Sequence, residues 1–209
     1  MQIQEKYQNL KKRGMIMKVY VIYMHPSKDS FNGAILEKML HSLAQLNVQV
    51  EVKNLYKEFQ DAHLSLEEYE QSMNGKYAED VLQEHKKIME ADQFIFLFPV
   101  WWGGFPAIGK GYLDRILSYG FAYELEGESP IPLLKGKKAS LVFTTGAPEK
   151  EFHQSGMYDH MIHLLDKSVF QFCGIELDQI LHFGDVIQKS DSDRKQMLDH
   201  VENFCARIQ

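Results

Sequence analysis

The sequence predicts an α/β domain built on a doubly wound, five-stranded parallel sheet with helices on both faces. Short apolar segments alternate with amphipathic segments along the chain, which is the pattern of β-α-β units. Five such apolar segments favour an open sheet over a closed barrel, which needs eight units. The chain has 209 residues, 44% of them hydrophobic. That length and composition fit one domain with a sizeable core.

The first predicted strand, residues 18–24, is almost continuously apolar, as a strand buried on both faces should be. A helix is predicted to begin at Asn32, because apolar residues recur at helical spacing from Ile35 to Leu43. The alternating segment 49–54 and the apolar segments 93–99, 139–144 and 175–180 are predicted to be the remaining strands.

The predicted helices after the first lie on the amphipathic segments between these strands. They cover residues 81–91 and 108–117, a segment that ends before Gly174, and residues 192–207. Residues 55–80 are polar and are predicted to be irregular, with a short helix near residues 66–69. Residues 120–136 and 145–156 are predicted to be loops, because glycine and proline interrupt them.

Charge and cysteine content narrow the class of protein. The formal net charge of −6 disfavours nucleic acid or an anionic membrane as the main partner. Two distant cysteines indicate no disulfide framework, so a cytoplasmic location is expected. No Cys/His cluster has zinc-ligand spacing, so no metal site is predicted. No segment approaches the roughly 20 apolar residues of a membrane span, so no membrane insertion is expected.

Residues 1–17 differ from the rest of the chain in charge. They contain four basic residues, Lys6, Lys11, Lys12 and Arg13, against the single acidic residue Glu5. We therefore predict a flexible basic N-terminal extension at 1–17, followed by a single domain at 18–209.

Ligands of open parallel sheets bind beyond the carboxyl ends of the strands, where the strand order reverses. The first loop at this edge runs from His25 to Asn32 and leads into a helix, whose free N–H groups attract a phosphate. Ser27, Ser30 and Asn32 add side-chain hydrogen-bonding groups. The alternative is that Ser30 or Asn32 only caps the helix.

The second loop follows the strand at 93–99 and contains both tryptophans of the chain, Trp101 and Trp102. Adjacent residues of an extended chain point in opposite directions, so at least one tryptophan is expected to be exposed. An exposed indole would form a wall for a flat aromatic ligand, and Gly103 would allow close approach of the backbone. The alternative is a core tryptophan beside a turn.

The third loop, Thr144, Thr145, Gly146 and Ala147, contains small residues that suit backbone contacts to the edge of a heterocycle. Alone it is also compatible with an ordinary turn. Together the three loops offer sites for a phosphate, a flat ring and a ring edge, which is the set that a flavin needs.

Over residues 18–184 the sequence resembles the NAD(P)H:quinone oxidoreductase family, the DT-diaphorase-like group of flavodoxin-like flavoproteins. The resemblance depends on several motifs in the same order along the chain. These motifs are His25…Ser30-Phe31-Asn32, Phe98-Pro99-x-x-Trp102, Gly104-Phe105-Pro106-Ala107, Lys110-Gly111-Tyr112…Arg115, Gly120-Phe121-Ala122-Tyr123 and Thr144-Thr145-Gly146.

The resemblance implies a flavodoxin-like fold and a flavin bound without a covalent link. Carried over by position, the cofactor-binding residues that it implies are His25, Ser27, Ser30, Phe31, Asn32, Pro99, Val100, Trp101, Trp102, Gly103, Thr144, Thr145, Gly146 and Ala147. It implies FAD, with FMN as the alternative, because Ser30-Phe31-Asn32 is similar to the FAD-binding members. It also implies ping-pong transfer of a hydride, and so of two electrons, from NAD(P)H to a quinone or a similar aromatic acceptor. The expected assembly is a homodimer in which Tyr123 reaches the neighbouring active site.

The chain departs from the family at the proton relay, for which better-known members use a Tyr and a His after Thr-Thr-Gly. A gapless match places Phe152 and Tyr158 there, which predicts Tyr158 as the hydrogen-bond donor and Gly146 as a backbone contributor. His153 or His160 would serve if the loop shifts. The residues expected at the substrate are Trp102, Tyr123, Phe152 and Tyr158.

Two other functions stay open. Some relatives are ancillary, regulatory subunits of potassium efflux systems, and a flavodoxin-type electron carrier would share the same fold.

Overall fold

The computed structural model describes residues 16–59 and 61–208. Its strands, numbered in chain order, are β1 Met17–Tyr23, β2 Val48–Asn54, β3 Gln93–Pro99, β4 Tyr123–Glu126, β5 Ser129–Pro132, β6 Lys138–Thr144 and β7 Glu176–Phe183. Five of them form one parallel sheet in the order β2-β1-β3-β6-β7, and β4 pairs with β5 in a separate antiparallel hairpin. The predicted doubly wound, five-stranded sheet is confirmed.

Helices connect the strands and cover both faces of the sheet. They are α1 Phe31–Leu43, α2 Leu55–Glu58, α3 Leu66–Ser72, α4 Glu79–Glu90, α5 Ala107–Ile116, α6 Glu149–Gln154, α7 Met157–Leu165, α8 Gln171–Cys173 and α9 Asp191–Cys205. A π-helical turn, Asp166–Phe170, joins α7 to α8.

The alternation of side chains along β1 separates two apolar cores. Val19 and Val21 face one core, to which α1 and α9 contribute Met39 and Phe204. Tyr20 and Ile22 face the other core, which α4, α5 and α7 cover. All seven residues of β3 are buried. A nearly continuous apolar strand is what a sheet covered on both faces requires.

Two segments that were predicted to be loops contain regular structure. Residues 120–136 include the β4–β5 hairpin, in which a two-residue turn with Gly127 at φ 63° connects the strands. Pro130 and Pro132 are tolerated because each strand of a two-stranded ribbon has a free edge. A proline whose nitrogen faces that edge removes no hydrogen bond between the strands. Residues 145–156 include α6, so that prediction of a loop was also wrong.

One carboxylate is buried between the sheet and two helices. Glu84 of α4 forms an ion pair of 2.8 Å with Lys53 of β2. Its second oxygen accepts hydrogen bonds from Tyr20 of β1 at 2.7 Å and from Tyr112 of α5 at 3.0 Å. The charge is therefore paired and hydrogen-bonded, as a buried carboxylate must be to be tolerated.

The predicted extension at 1–17 lies outside the described residues up to position 15, and β1 begins at Met17. Among the described residues, no helix combines the length and the apolarity needed to cross a membrane.

Candidate functional site

A cavity of about 690 Å³ lies at the carboxyl ends of β1, β3 and β6. The chain leaves β1 toward β2 on one side of the sheet and later enters β3 on the other, so β1 and β3 border the point where strand order reverses. This is the position at which flavodoxin-type sheets bind their ligand. The cavity is lined by His25, Asp29, Ser30, Phe31, Asn32, Ala34, Pro99, Val100, Trp101, Thr144, Thr145, Gly146, Val186, Ile187 and Arg194.

The loop after β1 is held by its own side chains. Ser30 caps α1, since its Oγ accepts a hydrogen bond of 3.1 Å from the amide of Gly33. The same hydroxyl donates to the carbonyl oxygen of Ser27 at 2.8 Å. Nδ1 of His25 lies 3.0 Å from the amide nitrogen of Ser27, which fixes the orientation of the imidazole. Ser30 and His25 line the cavity, whereas Ser27 does not. The hydroxyl of Ser27 accepts a hydrogen bond of 3.2 Å from the backbone amide of Asp29 inside the loop.

The start of α1 presents backbone donors toward the cavity. The N–H groups of Phe31 and Asn32 belong to the first helical turn, where no intrahelical acceptor exists. A Cβ at position 33 would collide with the carbonyl oxygen of Lys28, so only glycine allows the loop to fold back against the helix. This geometry suits a phosphate, because the free N–H groups and the helix dipole both attract an anion.

Asn32 connects the first loop to the third. It is buried, and its Nδ2 donates a hydrogen bond of 2.8 Å to Oγ1 of Thr144 at the end of β6. Its Oδ1 is buried without a hydrogen-bond partner. Asn32 therefore connects two loops of the cavity. The capping role, which was the alternative prediction for Ser30 or Asn32, belongs to Ser30.

The second loop forms a tight turn over Trp101–Gly104, with reciprocal backbone hydrogen bonds of 3.1 and 3.2 Å between these two residues. Its central residues, Trp102 and Gly103, have φ of 53° and 80°. The left-handed conformation is strained for a bulky residue. Trp102 is fully exposed and Trp101 is 42% exposed, which confirms that at least one tryptophan is not in the core. Trp101 lines the cavity, but Trp102 and Gly103 lie outside its lining.

The third loop is tied to β7 by Thr145. Its hydroxyl donates to the carbonyl oxygen of Ala147 at 2.8 Å, and the same oxygen lies 2.8 Å from Nε2 of His182. Burial, with a smaller contribution from the neighbouring His153, lowers the pKa of His182 to about 4, so the imidazole is neutral at pH 7. Thr144, Thr145 and Gly146 line the cavity, whereas Ala147 does not.

A fourth loop, after β7, completes the cavity and was not predicted. Arg194 of α9 donates hydrogen bonds of 3.3 Å to the carbonyl oxygens of Val186 and Ile187, which line the cavity with it. Strand β7 extends to Phe183, beyond the predicted end at residue 180, and this extension brings the loop to the same edge as the other three. The spacing of Val186, Ile187 and Arg194 carries no recognisable motif.

The described domain matches a family model for the flavodoxin-like fold over residues 17–206. The chain belongs to this family. An NAD(P)H oxidoreductase of Haemophilus influenzae, described as uncharacterized, is 37% identical over 180 residues, which are 86% of this chain and 89% of that protein. The ribosyldihydronicotinamide dehydrogenase [quinone] of Pongo abelii is 32% identical, and the match spans 77% of this chain and 78% of that protein.

The fold is also that of a solved member of the same class. The NAD(P)H:quinone oxidoreductase from Methanothermobacter marburgensis superposes with a TM-score of 0.83 at 28% identity, over 93% of this chain and all of that one. The predicted family and the class of enzyme, an NAD(P)H oxidoreductase, are therefore confirmed.

The residues at the family's proton relay and substrate site lie outside the cavity lining of this chain. Phe152 of α6 is buried in the core, with its ring 5.3 Å from that of His182. Tyr158 of α7 is half-buried and stacks on His153 at 3.9 Å. Burial raises the pKa of Tyr158, and the charges of Asp159 and Glu149 raise it further, so the phenol keeps its proton at neutral pH.

Tyr123 begins strand β4, and its ring contacts that of Phe172 at 4.8 Å. It lines a smaller cavity of about 100 Å³ beside α3 and does not reach the main cavity of its own chain. A contribution of Tyr123 to an active site would therefore have to be made to a second copy.

Proposed function

We propose that the chain is a flavin-dependent NAD(P)H oxidoreductase that delivers two electrons to a quinone or a similar aromatic acceptor. The cavity at the β1/β3 switch point is the single observation on which this proposal depends. It combines helix N-terminal donors, an aromatic wall and a polar loop edge in one space of about 690 Å³. That volume lies within the range of small-molecule sites.

The residues present fit a flavin. The free N–H groups of α1 and the guanidinium of Arg194 would hold the phosphate end, since both attract anions. Trp101 and Val100 would border the ring system, with the small residues Thr145 and Gly146 at its polar edge. When bound, the flavin would supply the capacity to accept two electrons from NAD(P)H and to release them to the acceptor.

We propose FAD in preference to FMN. The lining includes Phe31 at the start of α1 and Val186 and Ile187 after β7, which are apolar, together with the cationic Arg194. An adenosine extension needs such a surface, whereas a mononucleotide would leave it exposed to water. Ile187 is 71% exposed, so a considerable apolar area is available for burial there.

Within this function the protein orients and encloses the reactants. The left-handed turn leaves the indole of Trp102 exposed, next to Trp101, which lines the cavity. At that position the indole would limit access to the cavity and provide a surface for nicotinamide and acceptor in turn. One shared surface requires one substrate to leave before the next arrives, which is a ping-pong order. We assign the hydrogen bond to the reduced ring edge to Tyr158, together with the backbone near Gly146.

We further propose a cytoplasmic homodimer. The exposed Trp102 and the hairpin that carries Tyr123 are the surfaces expected to meet a second copy, and twofold symmetry is the commonest arrangement. Both cysteines are buried and free, which suits a reducing compartment. Light scattering that shows a fully active monomer would contradict the dimer.

The absorbance spectrum of the purified protein tests the central proposal. The protein should be yellow, should lose this colour on addition of NADH or NADPH, and should regain it with a quinone. Mass analysis of the flavin released by heat then distinguishes FAD from FMN. A protein that takes up neither flavin would exclude the function, and one that holds only FMN would exclude the adenosine site.

A further inference from the structure

Three potential metal ligands meet beside the third loop, outside the cavity. Glu149 and His153 lie four positions apart on α6, and His182 lies on β7. One ligand atom from each of them lies within 4.8 Å of the other two. Residues four apart share one face of a helix, so Glu149 and His153 approach His182 together. The interval between positions 153 and 182 explains why sequence spacing predicted no metal site.

The hydrogen bonds of His182 determine where its proton lies. The hydroxyl of Thr145 donates its only hydrogen to the carbonyl oxygen of Ala147, which can only accept. The contact of 2.8 Å between the same hydroxyl oxygen and Nε2 of His182 therefore requires Nε2 to donate. A neutral imidazole protonated on Nε2 has its lone pair on Nδ1. That atom is buried without a hydrogen-bond partner, in a side chain that is 8% exposed.

An unpaired buried nitrogen is costly unless something occupies its lone pair. Fixing one imidazole nitrogen by an oxygen, so that the other can bind a metal, is the usual arrangement around metal-binding histidines. Thr145 supplies that fixing contact here. The other two ligands, Glu149 and His153, are exposed, so rotation of their side chains can change the distances between their ligand atoms and Nδ1 of His182.

The backbone is also shaped to bring the two elements together. A Cβ at position 184 would overlap the backbone nitrogen of Glu149, so glycine is needed directly after β7, where the chain passes the start of α6. This close approach sets the Glu149 carboxylate beside the strand that carries His182, two positions before Gly184. The cluster thus depends on a specific contact between elements and not only on two exposed side chains.

We propose that Glu149, His153 and His182 form a binding site for a divalent transition metal, with Zn²⁺ as the ion that fits best. Two imidazoles and one carboxylate are a common zinc ligand set, and Mg²⁺ or Ca²⁺ would demand oxygen ligands throughout. Zinc–ligand distances of about 2.0–2.2 Å need the three ligand atoms to close in, which rotation of the two exposed side chains permits. A fourth position stays open to water.

The bound metal would cross-link α6 to β7 and, through Thr145, to the loop at the polar edge of the cavity. Its role would be to hold that loop, with no change of oxidation state. The site does not depend on the proposed flavin chemistry, because none of its three ligands lines the cavity.

Titration of Zn²⁺ into the purified, tag-free protein tests the site. The protein is first treated with a chelator, and Zn²⁺ is then added in competition with a chromophoric chelator. We expect one equivalent per chain and a higher melting temperature with the metal. Glu149→Gln and His153→Gln should each weaken Zn²⁺ binding by at least about tenfold. Both residues are exposed, so these variants should fold and keep the same flavin content.

Glu151→Gln and His200→Gln are the matched controls, because both residues are exposed and neither belongs to the cluster. They should bind Zn²⁺ like the unmodified protein. Failure of the unmodified protein to bind Zn²⁺ more tightly than the double variant Glu149→Gln/His153→Gln would overturn the proposal. Equal losses in the controls and the ligand variants would overturn it as well.

Discussion

Asn32 donates a hydrogen bond of 2.8 Å to Thr144 and so joins two cavity loops that are 112 positions apart in sequence. Asn32→Ala should lower the free energy of unfolding by about 1–3 kcal/mol, because it leaves a buried hydroxyl without its donor. Flavin affinity should fall as well, since the two loops are no longer held together. Urea unfolding and flavin titration measure the two effects.

Asn74→Ala is the control for Asn32, because Asn74 also donates a hydrogen bond of 2.8 Å, to the carbonyl oxygen of Glu70, but in an exposed position. It should change neither quantity by more than about 0.5 kcal/mol. Equal effects of the two substitutions would contradict the assigned role of Asn32.

Arg194 of α9 lines the cavity beside the fourth loop, to whose carbonyl oxygens it donates. Arg194→Gln should weaken flavin binding by about 10- to 100-fold, which corresponds to the loss of one charge-assisted hydrogen bond of about 1.5–3 kcal/mol. The effect should shrink at high salt, which screens the remaining attraction. Fluorescence quenching of the free flavin measures the affinity. Arg207→Gln, which changes an exposed arginine just after the end of α9, is the matched control.

Tyr158 is predicted to stabilise the reduced flavin by donating a hydrogen bond. Tyr158→Phe should therefore slow bleaching of the flavin by NADPH by about 30- to 1,000-fold, or about 2–4 kcal/mol, and leave flavin content unchanged. Stopped-flow absorbance measures the rate, with Tyr56→Phe as control. A rate within twofold of the unmodified protein would exclude a catalytic role for Tyr158 and leave the backbone near Gly146, or His153 or His160, as the stabilising group.

His85 makes the stability of the fold dependent on pH. Burial lowers its pKa to about 4, although the hydrogen bond to the Ile116 carbonyl and the charge of Glu84 act in the opposite direction. The unfolded chain binds this proton near pH 6.5, so the stabilisation is complete above pH 6.5 and is lost as the pH falls toward 4. His182 has a similarly lowered pKa and loses its contribution in the same interval.

The free energy of unfolding should therefore decrease more steeply between pH 6.5 and 4 in the unmodified protein than in His85→Gln. Urea unfolding at several pH values, in the presence of a chelator, measures both slopes. His200→Gln removes an exposed histidine and should leave the slope unchanged. Parallel curves for His85→Gln and the unmodified protein would exclude this source of pH dependence.

The sheet could be predicted from sequence because its strands are short, apolar and separated by helices of clear periodicity. The segment at residues 93–99, for example, is predicted and observed with the same bounds. The β4–β5 hairpin was missed because its glycine and two prolines, read locally, indicate a loop. The pairing of Tyr123 with Pro132 depends on contacts with the rest of the fold, so it could not be predicted from the local sequence alone.

The three predicted loops do meet in one cavity, because the carboxyl ends of parallel strands share one edge of the sheet. Arg194 could not be predicted to join them, since its place depends on how α9 returns across the sheet. Phe152 aligned with a relay tyrosine, yet the structure buries it in the core. A gapless match preserves position along the chain and does not fix the direction in which a side chain points.

The buried carboxylate of Glu84 also has a consequence for the order of folding. Its partners Lys53, Tyr20 and Tyr112 belong to three further elements, so none of its hydrogen bonds is local in sequence. An intermediate in which α4 docks before α5 would bury this charge incompletely paired, which is strongly unfavourable. We therefore expect the cluster to close late in folding, so that substitutions in it accelerate unfolding more than they slow folding.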